Sequence, residues 1–396
     1  MNTKFSTIAV GAVAALILLT PYHHAMAGNA SKGRTKMIAN PHLQDSAKFG
    51  SPDKVYTREE ILNAKPLEWM PAEPVDPRYL GGDFKEESPT TTGRSKAKPP
   101  GLPHPDAERE AHEDFSDQWQ LLEEIDKLRE EGLLKDEEIG GGINDMNANF
   151  AGAKDTNFGT QDIYTGYRGN YWLNQQKAFP WKVVGKLLID GGGYCTAQSI
   201  TGAPKNIIVT AAHCVYDVGV GFKPGWTFVP AERFGVAPYG QFRWASARVL
   251  NAWITGGGRR NDVALIRLQK NSAGRPVSFY TGWLGWRQNY PYTRSLHSIG
   301  YASNFATTWT SMCAGESFFA SCEGTDVLVK GCNMTFGSSG GGWIDVYKPY
   351  EVNGYVESVV SGPSCAGSFG QTFVGPRFSN ANFGALCAAE GGCTTP

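Results

Sequence analysis

Three residues of this chain have types and settings suited to nucleophilic chemistry: a serine among glycines, a histidine ending one apolar run, and an aspartate heading another. The serine is Ser339, in Cys332-Asn333-Met334-Thr335-Phe336-Gly337-Ser338-Ser339-Gly340-Gly341-Gly342-Trp343. Glycine accepts the positive φ of a sharp turn and lets another backbone come close, which suits an accessible nucleophile. A serine hydroxyl is a weak nucleophile and needs a base, usually histidine, itself oriented by a carboxylate. Only His213 and His297 follow residue 150. His213 closes the run Val209-Thr210-Ala211-Ala212-His213-Cys214, where a disulfide could hold it at a barrel rim, whereas His297 reads as a structural strand residue. Of the acids between His213 and Ser339, Asp217 reads as a loop residue and Asp326 as a turn residue. Asp262 leads Val263-Ala264-Leu265-Ile266, so a strand would anchor its backbone while its carboxylate is buried against an imidazole.

The elements that must position these groups differ along the chain. Beyond residue 160, short runs such as Ile207-Ile208-Val209, Trp226-Thr227-Phe228-Val229 and Val359-Val360 alternate with Gly, Pro and Asn turns. That texture predicts an all-β fold, and residues 161–396 are enough for two packed barrels. Residues 28–103 are rich in Pro, Gly, Ser and Lys, with a linker-like Lys98-Pro99-Pro100-Gly101-Leu102-Pro103, and are expected to be largely extended or disordered. From about residue 106 to 138 the spacing of Phe115, Trp119, Leu122, Ile125 and Leu128 predicts one amphipathic helix. Asp114 and Ser116 are its candidate N-caps, Gly132 weakens its far end and Gly140-Gly141-Gly142 closes it.

Composition limits the classes. The first residues carry Lys4, an apolar run over residues 8–19 and Ala25-Met26-Ala27, the pattern of an export signal cut before Gly28. No later run is long and apolar enough to span a bilayer. All eight cysteines lie from Cys195 onward, so disulfides are expected in an exported chain, whether extracellular or periplasmic. Residues 28–150 hold 16 Lys/Arg and 25 Asp/Glu, a balance of −9; residues 151–396 hold 20 and 13, a balance of +7. The two parts should attract each other. Nothing resembles a basic stripe with interleaved aromatics, so a nucleic-acid partner is not expected. Without a C-x-x-C pair, a cysteine metal site is a poor reading, and neither a metal nor a cofactor is expected.

Thr210-Ala211-Ala212-His213-Cys214, Asp262-Val263-Ala264-Leu265 and Gly337-Ser338-Ser339-Gly340-Gly341 together resemble the three signatures of chymotrypsin-fold (trypsin-like) serine peptidases, in that family's order. The resemblance covers about residues 175–385. It is nearest to the secreted microbial branch that includes the glutamyl endopeptidases, which Trp226-Thr227-Phe228-Val229-Pro230 and Ala237-Pro238-Tyr239-Gly240 also resemble. It implies two packed antiparallel β-barrels, with Ser339 as nucleophile, His213 as general base and then acid, and Asp262 as orienting carboxylate. The backbone N–H groups of Gly337 and Ser339 would form the oxyanion hole, and Asn333, Ser361 and Gly362 would contact a protein or peptide substrate. Cys195–Cys214 looks like the family's bridge beside the histidine. Cys322–Cys332, Cys313–Cys365 and Cys387–Cys393 complete the expected pairing.

The departures from that family matter too. Ser338 stands where many members carry an aspartate that pairs with a freed N-terminus, and Gly342 stands in place of proline. Asn333 replaces the aspartate that selects Lys or Arg, and no histidine follows Ser339 to bind an acidic side chain. Residues 28–160 lie outside the resemblance and read as an acidic pro-segment docking on the basic peptidase. A nucleophile elbow of the α/β-hydrolase type is excluded, because that fold needs a histidine after the serine. The rival of another class is a catalytically inactive peptidase fold kept as a binding module or adhesin.

Overall fold

Strands with every residue buried set the architecture. The computed structural model describes residues 34–41, 54–69, 87–91, 93–134, 164–168, 177–305, 307–348, 351–366 and 372–394. Four strands come first: β1 (Thr35–Ala39), β2 (Lys65–Pro66), β3 (Lys96–Lys98) and β4 (Tyr164–Arg168). Then follow β5 (Val184–Ile189), β6 (Gly193–Ser199), β7 (Ile207–Thr210), a small hairpin of β8 (Tyr216–Asp217) and β9 (Gly221–Phe222), β10 (Trp226–Pro230), β11 (Phe242–Leu250) and β12 (Ala264–Leu268). The apolar runs at 207–209, 226–229 and 263–266 fall in or lead into β7, β10 and β12 and are buried, as is every residue of β5. Pairing runs β11-β10-β5-β6-β7-β12 and returns to β11, antiparallel throughout, so six strands close a first barrel. Closure leaves no unpaired edge within the ring.

The second barrel draws on β13 (Gly285–Gln288), β14 (Arg294–Gly300), β15 (Ser311–Phe318), β16 (Val327–Gly331), β17 (Gly342–Asp345), β18 (Tyr355–Val359), β19 (Gly362–Pro363) and β20 (Thr372–Pro376). Its antiparallel order is β20-β16-β15-β14-β17-β18. The ends of this sheet come together where Phe378 N donates to Glu357 O at 3.0 Å and Ser361 N donates to Val374 O at 2.8 Å. The expected all-β pair of chymotrypsin-like barrels is therefore the observed architecture.

Composition predicts residues 28–103 to be largely extended or disordered; their described parts are ordered against the barrels. β1 pairs along β11, β2 along β6 and β3 along β13, so this region adds strands to both sheets. A short helix, α1 (Arg58–Asn63), starts from a capping box in which Thr57 and Glu60 satisfy each other's backbone N–H groups. The single helix predicted over 106–138 is instead two, α2 (Ala107–Asp114) and α3 (Ser116–Glu130). The break falls at Phe115 (φ −131°, ψ 37°), whose ring turns in against Gly240 and Tyr280. Asp114 thus ends α2 and Ser116 opens α3; neither is an N-cap. The second helix stops near Gly132, which takes φ +69°, and not at residues 140–142.

Trp119, Leu122 and Ile125 of α3 are buried, as the stripe predicts, and Trp119 meets Tyr239 edge-on at 5.7 Å. Each such side chain stabilises by about 1.5–3 kcal/mol on burial. Acidic-to-basic contacts accompany them: Asp126 with Arg233 at 2.6 Å and Glu110 with Arg275 at 2.7 Å. The export-signal residues 1–27 and the glycines at 140–142 lie outside the described residues. Among the described residues no helix is long and apolar enough to cross a membrane.

Candidate active site

His213 sits in a short 3-10 turn (Ala212–Cys214) that follows β7 directly, and Asp262 sits just ahead of β12, the neighbour of β7. Two strands anchored in the first barrel therefore carry the two groups to its rim. Asp262 Oδ2 lies 2.8 Å from His213 Nδ1, and Asp262 Oδ1 accepts from His213 N at 2.9 Å. Ser361 Oγ donates a short hydrogen bond to the same Oδ2. The carboxylate is fully buried. Burial alone would push the Asp262 carboxyl up, but the charge and hydrogen bonds of His213, with the bond from Ser361, hold it below the usual range. An ionised carboxylate on Nδ1 keeps the proton there and leaves Nε2 as the basic nitrogen.

Ser339 belongs to the second barrel, in the loop between β16 and β17, yet it is fastened to the first. Ser339 O accepts from Thr196 N at 2.8 Å, Gly337 O accepts from Thr196 Oγ1 at 2.9 Å, and Gly340 O accepts from Gln198 Nε2 at 3.1 Å. Gly340 takes φ +81°, and a Cβ there would fall 2.1 Å from Thr210 Oγ1 and 2.9 Å from Ala211 N. Only glycine lets the serine loop press on the strand that ends three residues before His213. Among the described residues neither His213 Nε2 nor Ser339 Oγ has a hydrogen-bond partner, and both are buried. The two are therefore not bonded to each other in this state. Catalytic bonds of this kind are commonly long before substrate arrives.

The other predicted residues are placed as follows. Gly337 takes φ +81° with its N–H 3.4 Å from Leu67 O. Ser361 and Gly362 line the Asp262 side of the cleft, where the Arg259 guanidinium abuts Gly362, reaching Ser361 Oγ at 3.4 Å and Pro363 O at 3.2 Å. Asn333 O accepts from Asn304 Nδ2 at 2.6 Å. Asp217 pairs with Lys223 and Asp326 with Arg377, so the rejected acids are engaged elsewhere. His297 lies tilted against Tyr347, ring centroids 4.6 Å apart, and burial, helped by the Lys330 charge, pushes its pKa down to about 4. Thr196, Gln198 and Arg259 went unpredicted. Arg259 had one available signal, its place three residues before Asp262.

Two expected disulfides are re-paired. Cys195–Cys214 and Cys387–Cys393 are joined, but Cys313 bonds Cys332 and Cys322 bonds Cys365. The reason is sheet neighbourhood. Cys313 lies on β15 and Cys332 just past its partner β16, while Cys322 sits in a turn whose Glu323 carboxylate accepts from Cys365 N at 2.6 Å.

No protein-family model matches the chain. Over 149 residues it is 26% identical to an extracellular metalloprotease of Bacillus subtilis (strain 168), covering 35% of this chain. The chain spans only 45% of that curated relative's length. Among solved structures it is similar to the protease Anisep from Arthrobacter nicotinovorans, at 29% identity over 50% of this chain and 91% of that one (TM-score 0.46). A thermostable serine protease, AL20, from an extremophilic microorganism matches at 24% identity over 53% and 98% (TM-score 0.47). A Glu endopeptidase matches at 18% identity over 57% and 96% (TM-score 0.47). As for a metal, two described clusters bring ligand atoms close, Cys195, His213 and Cys214, and Cys322, Glu323 and Cys365. Their sulfurs are tied in disulfides and offer no thiolate.

Proposed function

We propose that this chain is an exported serine endopeptidase, made as a precursor, that cuts peptide bonds through an acyl-enzyme. Ser339 Oγ attacks the substrate carbonyl carbon while His213 Nε2 takes its proton. The oxyanion that forms is held by the N–H groups of Gly337 and Ser339, a contribution of roughly 3–4 kcal/mol per donor. His213 then gives its proton to the leaving amine as the C–N bond breaks. Water, activated by the same nitrogen, releases the acid and restores the serine. Asp262 stays ionised and stabilises the imidazolium. The observation that carries this reading is the 2.8 Å contact of His213 Nδ1 with a buried carboxylate, while the glycine-rich serine loop packs on Thr210 and Ala211 just before that histidine.

The test is labelling with a fluorophosphonate followed by peptide mapping. Modification at Ser339, abolished by His213→Ala, supports the enzyme. No modification of the folded protein after full maturation supports the inactive binding module instead.

A further inference from the structure

The chain's own N-terminal region reaches the loop that carries Ser339. After α1 the backbone runs along β6, Lys65 N donating to Gly192 O at 2.8 Å and Leu67 N to Tyr194 O at 2.9 Å. Leu67 O then accepts from Gly337 N, an amide assigned above to the oxyanion, at 3.4 Å. Two residues on, Trp69 is buried in one apolar cluster with Met334 and Val360, its ring edge-on to Phe336 at 5.9 Å. Upstream, Tyr56, Ile61 and Ala64 pack on Leu188, Tyr194 and Tyr301, and Ile61 O accepts from the buried Lys186 ammonium at 3.4 Å. A peptide carbonyl on an oxyanion amide is the contact that a substrate makes there. A backbone N–H given to a strand carbonyl at the cleft edge is how an extended peptide binds.

We propose that residues 65–69 are a tethered competitor of substrate: Leu67 O occupies the Gly337 amide and Trp69 anchors the segment against Phe336, holding the unprocessed chain inactive. This rests on the serine-peptidase reading and names the part of the N-terminal region that inhibits. The acidic helices do not supply the block. Their contacts include Tyr239, Tyr280, Arg233, Arg275 and Trp309, and among the described residues none is shown to the serine loop. They tie the region to the first barrel, while the five-residue segment obstructs the site. At 3.4 Å the Leu67 bond is longer than the usual 2.9–3.0 Å, as suits a contact that must yield. The resting state also lacks the Ser339–His213 hydrogen bond.

The experiment uses the full chain, shown uncut by intact mass, and measures the rate at which a small fluorophosphonate modifies Ser339. Trp69→Ala should be labelled roughly 10-fold faster than the wild type, since a buried aromatic anchor carries much of a peptide's affinity. A synthetic peptide of residues 54–69 should slow the variant again. Equal labelling of wild type and variant, with no effect of the peptide, overturns the proposal. Labelling of neither protein sinks the peptidase reading beneath it. Should Trp69→Ala fail to fold, Thr57→Ala decides in its place: it opens only the exposed cap of α1 and should speed labelling roughly 3-fold. An unchanged rate in that variant overturns the proposal.

Discussion

The two barrels each bury a lysine, and they treat it differently. In the first, Lys186 lies 3.2 Å from Glu232, both fully buried. Burial pushes each toward its neutral form, and their mutual attraction opposes that. In the second, Lys330 is equally buried but has no carboxylate among the described residues; its ammonium donates to Cys313 O at 3.0 Å and lies over the Trp343 and Phe373 rings. Burial alone pushes it down to about 7. The proposed catalytic groups divide between the barrels as well. The first barrel carries a finished pair, His213 on Asp262, and the second carries Ser339, whose hydroxyl has no partner.

Breaking the reactive side should have the largest effect. Ser339→Ala should lower kcat by about 10⁴-fold or more, because triad members act as a unit; residual activity of more than a few per cent would remove Ser339 from the mechanism. Asp262→Asn should cost about 10⁴-fold in kcat with little change in KM, read by steady-state kinetics, since a neutral amide no longer fixes the histidine tautomer.

The lysines sharpen the contrast through stability. Lys186→Met strands Glu232 and should destabilise by about 3–5 kcal/mol in denaturant titration at neutral pH. Lys330→Met should do the reverse. The folded state lowers that pKa from 10.5 to about 7, so the unfolded chain binds more protons between those values. The cost to the wild type is thus fully present below about pH 7 and is relieved as pH rises toward 10.5. The variant should gain on the order of 3 kcal/mol at low pH, a gain that fades in alkali. A pH-independent difference would mean that Lys330 titrates alike in the folded and the unfolded chain.

Much of the site was legible because its chemistry is local. Each of His213, Asp262 and Ser339 sits in a short string whose neighbours fix its backbone: a strand end, a strand start and a turn that only glycine can make. Pairing was not legible. Cys313 and Cys322 are close in sequence, but which thiols they meet depends on β15 lying beside β16 and on the turn that carries Cys322 reaching residue 365. The pairing of the described N-terminal strands was missed for the same reason. Pro-rich, polar strands such as Lys65–Pro66 carry no periodic signal, because they gain order from an edge supplied by a barrel more than 100 residues later.

By itself, then, the sequence settled which atoms could react and that short strands would carry them, since side-chain type and backbone tolerance are properties of a few adjacent residues. Tertiary structure decided what lies against what: the disulfide partners, the break at Phe115, the Leu67 carbonyl on the Gly337 amide, and a lysine without a counter-charge. Those outcomes follow from strands meeting across long loops, where hydrogen-bond registry and packing choose among neighbours that the linear chain leaves open.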